Sequence, residues 1–420
     1  MPQGRSGRIP RGAARERGRA IASGNQLRIA VAGAGAFGRN HLRVYRELES
    51  AGEGVALVAA VEPDPARARE AASQYQIPVF PSVEELLAAD LNLDAASVAV
   101  PTVHHHAVAT LLLDAGIDLL VEKPLATNLA EADDLIVRSE NAGRIVQPGH
   151  LERFNPAVLA VAPRLKRPMF FEAHRLSVFT PRSLDVDVVL DLMIHDLDIV
   201  LTFAASPVRE VRAVGLPILS PKVDIANVRV EFESGCVANF TASRVSTERV
   251  RKLRFFEPRQ YVSIDYARRD VLVIRMDDAP VAPSNPLAAL PPHIRAAIPP
   301  PVAAALAAGK LDLSKIDPAI ISQFAVAAGI DPALIAQFVA QPGDLVGPAP
   351  GLSFVKPEVT PGEPLRLEIL SFLDSVRNRT APKVTARQGR AALALALEIQ
   401  ATMAAHAERA GLGNFFHPGA

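Results

Sequence analysis

An apolar segment that runs directly into a glycine-rich turn sets the strongest limit on how this chain can fold. Leu27–Ala32 (LRIAVA) predicts a buried strand, and Gly33–Gly38 (GAGAFG) connects it to a predicted helix. In such a turn the first glycine permits the tight bend, the second lets the backbone approach a pyrophosphate, and the third allows close helix–strand packing. This context favours a dinucleotide site over a glycine-rich turn without a ligand. Its candidate residues are Gly33, Gly35, Ala36, Phe37 and Gly38.

An acidic residue follows the second predicted strand. Val55–Val61 is apolar, and Glu62 comes directly after it, 24 residues beyond Gly38. A carboxylate at this place accepts hydrogen bonds from the adenosine ribose and repels a 2′-phosphate. The cofactor prediction is therefore NAD, in preference to NADP.

Two patterns of elements divide the chain. Short apolar strands alternate with helical stretches from Gln26 to about Gly149, which predicts an α/β Rossmann domain with a doubly wound parallel sheet over residues 25–150. After Asn155 the predicted strands follow one another through turns, with one amphipathic helix at roughly Val186–Ala204. Residues 151–420 are therefore predicted to form an α+β substrate and oligomerisation domain with a large, mostly antiparallel sheet.

A proline-rich stretch interrupts this second domain. Residues 276–364 hold sixteen of the 35 prolines, together with the near-copies Asp317–Phe324 and Asp331–Phe338. Asp before Pro initiates helices, so we predict two short helices inside a Pro/Ala-rich insertion. Two further helices are predicted at Pro364–Arg377 and Arg387–Ala410.

Length and charge exclude several classes of protein. With 420 residues the expected number of domains is two or three. The 45 basic and 45 acidic residues argue against a nucleic-acid-binding surface, and one cysteine excludes an internal disulfide framework or a Cys-based zinc site. No apolar run of 18 residues lacks a charge or proline, so no membrane span is predicted and the expected location is the cytoplasm.

The first 24 residues differ in charge from the rest of the chain. Six Arg and one Glu lie within residues 1–20, while the remainder is mildly acidic. Such a composition predicts a disordered tail, the alternative being an arm that binds an anionic partner.

Two polar clusters carry candidate chemistry. Glu122-Lys123-Pro124 follows the buried strand Asp118–Val121, and ligands bind at this carboxyl edge of open α/β sheets. In the predicted helix at 186–204, Asp187, Asp191 and His195 share one face within apolar surroundings. An Asp one turn before a His orients the imidazole and favours its charged form. The alternatives are a satisfied core histidine and, less favoured because HExxH spacing is absent, a metal site; we predict no metal.

These residues together form a set that resembles the Gfo/Idh/MocA family of NAD(P)-dependent sugar and polyol dehydrogenases. The resemblance covers about residues 26–275 and 364–410, including the turn from Pro101 to His105, and implies that Pro101, His105, Glu122 and Lys123 lie near the cofactor. It also implies that Lys123, Asp191 and His195 line the substrate pocket as catalytic residues. The insertion at 276–364 departs from the length of the family.

Three strings indicate a narrower group within this family, the bacterial dehydrogenases of UDP-N-acetylglucosamine. They are Gly149–Pro156, Asp185–Leu201 and Ala238–Ser246. The resemblance implies oxidation of the sugar 3-hydroxyl of a small-molecule nucleotide sugar, upstream of 3-amino sugar and lipid A synthesis. It also implies a homodimer or homotetramer formed through the C-terminal sheet. An inositol- or free-sugar-type dehydrogenase and a non-catalytic regulator that senses NAD or a sugar nucleotide are the alternatives.

The expected mechanism is hydride transfer from the sugar to the nicotinamide, with His195 as general base and Lys123 stabilising the alkoxide. The reverse assignment, with Lys123 as base, stays open. Three residues are further candidates for substrate contact: Arg153, Asn155 and Arg244. The alternative for each is an inter-domain salt bridge.

Overall fold

The computed structural model describes residues 26–180, 186–276 and 352–412. The predicted tail at 1–24, the two short helices predicted at Asp317–Phe324 and Asp331–Phe338, and most of the insertion lie outside the described residues.

The first sheet has six strands, and all neighbouring strands are parallel. Its strands are β1 (Leu27–Ala32), β2 (Val55–Val61), β3 (Val79–Phe80), β4 (Ala95–Val98), β5 (Asp118–Glu122) and β6 (Val146–Gly149). Their order is β3-β2-β1-β4-β5-β6. The chain adds β2 and β3 on one side of β1 and then β4, β5 and β6 on the other side, so the strand order reverses between β1 and β4. Open α/β sheets form their ligand crevice at such a point. The predicted doubly wound parallel sheet is confirmed; the two-residue strand β3 was not predicted.

Nine α-helices lie within the described residues, and none of them is both long and apolar enough to cross a membrane. They are α1 (Gly38–Ser50), α2 (Pro65–Tyr75), α3 (Val83–Ala88), α4 (His105–Asp114), α5 (Leu129–Ala142), α6 (Pro156–Val161), α7 (Ile194–Ala204), α8 (Pro364–Asn378) and α9 (Ala386–Arg409). Their starts follow from local chemistry. The Asp64 side chain accepts from two backbone N–H groups at the start of α2, and Pro65 has no N–H that would need an acceptor there.

The second sheet has eight strands and is mostly antiparallel, as predicted. Its strands are β7 (Phe170–Leu176), β8 (Val208–Leu216), β9 (Ile225–Phe232), β10 (Val237–Ser243), β11 (Val250–Glu257), β12 (Gln260–Asp265), β13 (Asp270–Met276) and β14 (Leu352–Val355). Their order is β14-β13-β12-β11-β7-β10-β9-β8, and β7 and β10 pair in parallel. The strand β14 lies inside the predicted insertion and was not predicted.

The chain divides into two compact units. The first comprises Met1–Phe255, Ser263–Val271 and Glu358–Ala420, and the second comprises Phe256–Val262 and Leu272–Pro357. All residues of the candidate site belong to the first unit. The boundary proposed at residue 150 lies within that unit and stays a prediction.

The two C-terminal helices complete the cores on both faces of the first sheet. On one face Ile29 of β1 and Leu42 of α1 share a buried cluster with Phe372 of α8. On the other face Ala30 belongs to a cluster that includes Leu393 of α9. The sequence analysis assigns both helices to the second domain, which stays a prediction: both contribute to the cores of the first sheet, and α9 also packs against β8 of the second sheet.

Candidate active site

The glycine-rich turn has the geometry of a phosphate-binding turn. Gly33 has φ +96°, and a Cβ on it would lie 2.6 Å from the Ala99 carbonyl oxygen. A Cβ on Gly38, the first residue of α1, would lie 1.9 Å from the Gly33 carbonyl oxygen. No atom lies within 4 Å of a Cβ built on Gly35. The turn is therefore closed at its two ends and open in the middle, where a pyrophosphate can approach the backbone and the N-terminus of α1.

Glu62 holds this turn from the end of β2. Its carboxylate is buried, and one oxygen accepts from the Ala34 N–H at 3.0 Å. The other oxygen accepts from the Asp64 N–H at 3.0 Å and from Arg67 Nη2 at 2.9 Å. A carboxylate offers about four lone-pair sites, so it can still accept from a ribose hydroxyl. Both features fit a dinucleotide cofactor at this edge.

The predicted cofactor residues Pro101 and His105 lie in the segment after β4. Pro101 is exposed, whereas His105 is buried with its two ring nitrogens 2.8 Å from the Pro124 carbonyl oxygen and 3.0 Å from that of Val100. Burial lowers the pKa of His105, although the two carbonyls oppose the shift. A neutral ring has one N–H and therefore donates to only one of these two carbonyls, that of Pro124 or that of Val100. Its contact with a cofactor stays a prediction.

Lys123 follows β5 and reaches across to the helical segment that holds Asp191. Its ammonium donates to the Asp191 backbone carbonyl at 2.7 Å and lies 3.7 Å from the Asp191 carboxylate. Burial lowers the pKa of Lys123, and the negative charges of Asp191 and Glu122 oppose this shift. The side chain remains 19% exposed, so it can also reach a ligand in the crevice.

The segment that carries Asp191 is not α-helical. A π-helix spans Val189–Met193, and α7 begins only at Ile194. The prediction of one α-helix with Asp191 stacked under His195 is therefore wrong. A π-turn closes hydrogen bonds from residue i to i+5, so residues four apart no longer stack as they do in an α-helix. The Asp187 carboxylate accepts from the Val189 and Leu190 N–H groups, which starts the helical segment.

His195 consequently has no carboxylate partner in the described part of the chain. Its ring is half-buried, and its Nδ1 is enclosed without a hydrogen-bond partner there. Burial lowers the pKa of His195 well below its usual value, and the positive charges of Lys123 and Arg175 act in the same direction. The expectation that Asp191 orients the imidazole and favours its charged form is corrected: the lowered pKa favours the neutral ring, which is the form able to accept a proton.

A buried group of charges lies beside this histidine. The Arg175 guanidinium donates to both Asp196 oxygens, at 2.7 Å and 3.0 Å, and to Glu152 at 3.1 Å. It also lies 5.2 Å from the centre of the Tyr266 ring. Sequence reasoning missed this group, although Arg175 occupies a buried position in the alternating pattern of β7, where a charge is unusual.

The three further substrate candidates have partners inside the protein. Arg153 donates to both carboxylate oxygens of Asp198, at 2.6 Å and 3.0 Å. Asn155 caps α6 and donates to the Tyr266 carbonyl, while Arg244 donates to the Val186 carbonyl. Arg153 and Arg244 form ion pairs inside the protein, with Asp198 and with Asp224 at 3.5 Å, whereas the Asn155 amide forms hydrogen bonds only. A contact of Arg153, Asn155 or Arg244 with substrate stays a prediction.

Two further buried polar side chains, Glu368 of α8 and His150 directly after β6, were not predicted. Both carboxylate oxygens of Glu368 and both ring nitrogens of His150 are buried without a hydrogen-bond partner among the residues described. Burial raises the pKa of Glu368 well above its usual value, and the charges of Glu122 and Asp198 add to the shift. Burial and these charges therefore favour the neutral form of Glu368 in the folded protein.

Comparison with known proteins places this geometry among oxidoreductases. The description "Oxidoreductase family, NAD-binding Rossmann fold" matches residues 27–150, and "GFO/IDH/MocA C-terminal domain" matches residues 164–258. A UDP-N-acetylglucosamine 3-dehydrogenase from Acidithiobacillus ferrooxidans is 37% identical over 241 residues, covering 57% of this chain and 74% of that protein. An inositol 2-dehydrogenase from Acidothermus cellulolyticus is 31% identical over 202 residues, covering 46% of this chain and 58% of that protein.

A solved structure gives the same result. A UDP-N-acetylglucosamine 3-dehydrogenase structure from Acidithiobacillus ferrooxidans matches with a TM-score of 0.70 and 28% identity. The match covers 90% of this chain and 98% of that one.

Proposed function

The chain belongs to the Gfo/Idh/MocA family of NAD-dependent oxidoreductases, and from this membership we propose that it oxidises the 3-hydroxyl of UDP-N-acetylglucosamine to a ketone. Relatives in this family act as dehydrogenases of sugars and inositols. The similarity to a UDP-N-acetylglucosamine 3-dehydrogenase over 74% of its length supports the nucleotide-sugar substrate.

The observation that carries the catalytic part is the neutral imidazole of His195, whose Nδ1 has no partner in the described residues. Oxidation of a secondary alcohol removes a hydride from carbon and a proton from oxygen. NAD supplies the hydride acceptor when bound. His195 accepts the hydroxyl proton, and a neutral ring is the form that can do so.

Lys123 complements this role as a hydrogen-bond donor. One N–H of its ammonium is directed to the Asp191 carbonyl, and an ammonium has three donors. A remaining N–H donates to the substrate oxygen and stabilises its developing negative charge. The contact with Asp191 holds the charged form in place, which favours Lys123 as donor and His195 as base.

The wider role follows from the chemistry of the product. A 3-keto nucleotide sugar is the substrate that an aminotransferase requires to make a 3-amino sugar, so we place the reaction before 3-amino sugar and lipid A synthesis. The cytoplasmic location and the assembly through the C-terminal sheet belong to the same proposal.

The test is NADH formation by the purified full chain with UDP-N-acetylglucosamine, measured by absorbance. Reduction of the product with borodeuteride should place deuterium on C3 of the sugar, which mass spectrometry and NMR identify. Turnover of myo-inositol or a free sugar in place of the nucleotide sugar would contradict the substrate assignment. Binding of NAD without turnover of either class of substrate would contradict the enzymatic role and favour a regulator.

A further inference from the structure

A chain of buried hydrogen bonds connects α1 to the end of β5. Tyr45 Oη lies 2.8 Å from Ser97 Oγ, and Ser97 Oγ lies 3.1 Å from His41 Nδ1. His41 Nε2 lies 2.9 Å from a carboxylate oxygen of Glu122. Tyr45, Ser97 and His41 are fully buried, and Glu122 is nearly so.

One arrangement of protons satisfies every polar group in this series of hydrogen bonds. Because a carboxylate only accepts, His41 Nε2 carries the hydrogen that faces Glu122. With that hydrogen on Nε2 alone, Nδ1 accepts from the Ser97 hydroxyl, and Ser97 accepts from Tyr45. Burial raises the pKa of Tyr45, which keeps its hydroxyl protonated as the first donor. Every group in the chain is satisfied, so the contact between His41 and Glu122 is well defined.

The other Glu122 oxygen holds the backbone of the next residue. It accepts from the Lys123 N–H at 3.3 Å. Gly149 closes this arrangement from the neighbouring strand, since a Cβ there would lie 2.9 Å from the Glu122 oxygen that faces His41. The Glu122 carboxylate is thus enclosed between α1, β6 and the backbone at Lys123. This geometry does not favour the predicted contact of Glu122 with the cofactor.

We propose that His41 and Glu122 form a positioning pair that fixes the backbone at Lys123. The pair couples α1, which begins at the glycine-rich turn, to the residue that meets the substrate oxygen. Neither side chain needs to touch substrate or cofactor for this role. The consequence for catalysis rests on the function proposed above, whereas the effect on the Lys123 backbone does not.

Two substitutions of His41 separate this role from simple packing. The side-chain nitrogen of Gln reaches the place of Nε2 and can donate to Glu122, whereas the side-chain oxygen of Asn reaches the place of Nδ1 and can accept from Ser97. His41→Gln therefore keeps the contact with Glu122 and loses that with Ser97, while His41→Asn does the reverse. Ser97→Ala is the matched control, because it removes a hydrogen bond from the same chain on the side away from Lys123.

The first measurement is hydrogen–deuterium exchange at the Lys123 amide, read by NMR or by mass spectrometry of the peptide that contains it. We expect exchange about fivefold faster in His41→Asn, as loss of one hydrogen bond implies, and near the unsubstituted rate in His41→Gln and Ser97→Ala. Equal rates in the Asn and Gln variants would overturn the proposal. This readout needs no substrate, so it stands even if UDP-N-acetylglucosamine is not turned over.

The second measurement separates turnover from binding, using whichever substrate the unsubstituted chain oxidises. We expect kcat to fall by up to about 10²-fold in His41→Asn, with the KM and the NADH dissociation constant unchanged, because small misplacements of a catalytic group have effects of this size. His41→Gln should recover most of the loss. A parallel loss of NADH binding, or an equal fall of kcat in Ser97→Ala, would show that these hydrogen bonds only stabilise α1. Thermal unfolding of each variant identifies any that fails to fold.

Discussion

Two parts of the candidate site differ in how fully their polar groups are hydrogen-bonded within the protein. The cofactor edge is the Gly33–Gly38 turn with Glu62, and the catalytic edge is the group of Lys123, Asp191 and His195. Both Glu62 oxygens have backbone or guanidinium partners. At the catalytic edge His195 keeps a ring nitrogen without a partner among the described residues, at a site where burial disfavours its charged form. The comparison indicates that the first edge is built to hold a fixed ligand and the second to exchange a proton.

The largest effect is expected when the imidazole of His195 is removed. His195→Ala should lower kcat by about 10²–10⁴-fold, because a positioned general base contributes that much. The NADH dissociation constant should not change, as measured by fluorescence titration, since the cofactor edge is untouched. His174→Ala, a histidine on β7, is the control and should keep full activity. Unchanged kcat in His195→Ala would exclude the ring as base.

The pH dependence of kcat/KM distinguishes the two candidate bases. His195 has a lowered pKa, so its neutral form persists below the usual value of about 6.5, and activity should fall only at pH values lower than that. Lys123 as base would instead place the rising limb at a pH below its usual value of about 10.5, and a limb between that value and pH 6.5 could not come from His195. A limb in that upper range would reverse the roles proposed for the two residues.

The buried charges of Arg175, Asp196 and Glu152 beside His195 can be tested through the stability of the folded protein. Arg175→Met leaves the buried carboxylates of Asp196 and Glu152 without their counter-charge, which should lower the free energy of unfolding by about 3–5 kcal/mol. Urea denaturation measures the change. Arg138→Met, which breaks the surface pairs with Asp114 and Asp134, is the control and should cost less than about 1 kcal/mol. Similar losses in both variants would mean that burial adds nothing to the Arg175 pairing.

Glu62 tests the cofactor edge alone. Glu62→Gln removes the negative charge while keeping the side-chain size, and should weaken NAD binding by about 1.5–3 kcal/mol through loss of a charged acceptor. Because Arg67 then loses its carboxylate partner, NADP should gain relative to NAD. Dissociation constants for both cofactors, measured side by side, report the ratio. A kcat that falls while both constants stay unchanged would assign Glu62 to the other edge.

The smallest expected effect concerns Glu368, which belongs to neither edge. Its pKa is raised in the folded protein, so the folded state binds more protons than the unfolded state above the usual value of 4.5. The free energy of unfolding must therefore fall as pH rises from about 4.5, and Glu368→Gln removes this dependence. The variant should be more stable at pH 8 by about 1 kcal/mol, with the difference shrinking toward pH 5. Lower thermal stability of the variant at pH 8 would contradict a neutral Glu368.

The sequence predicted the parts of the molecule that depend on local chemistry. The strand, turn and helix around Gly33–Gly38 are specified by neighbouring residues, and the alternation of elements up to Gly149 determines a parallel sheet. The π-turn at Val189–Met193 could not be predicted, because its residues fit an α-helix equally well. The contacts of Arg175 and His41 were also missed, since they join residues that are distant along the chain and meet only after the sheets form.

The packing of α8 and α9 on the first sheet has a consequence for how the chain reaches its folded state during synthesis. Leu27 of β1 and Val376 of α8 belong to one buried cluster, although nearly the whole chain separates them. A ribosome releases the glycine-rich turn long before it makes the helices that cover the sheet behind it. The nucleotide-binding half therefore completes its interior only after α8 and α9 have been synthesised. Until then its apolar surface stays uncovered, and contacts between distant parts of a chain form slowly, so this surface is open to aggregation.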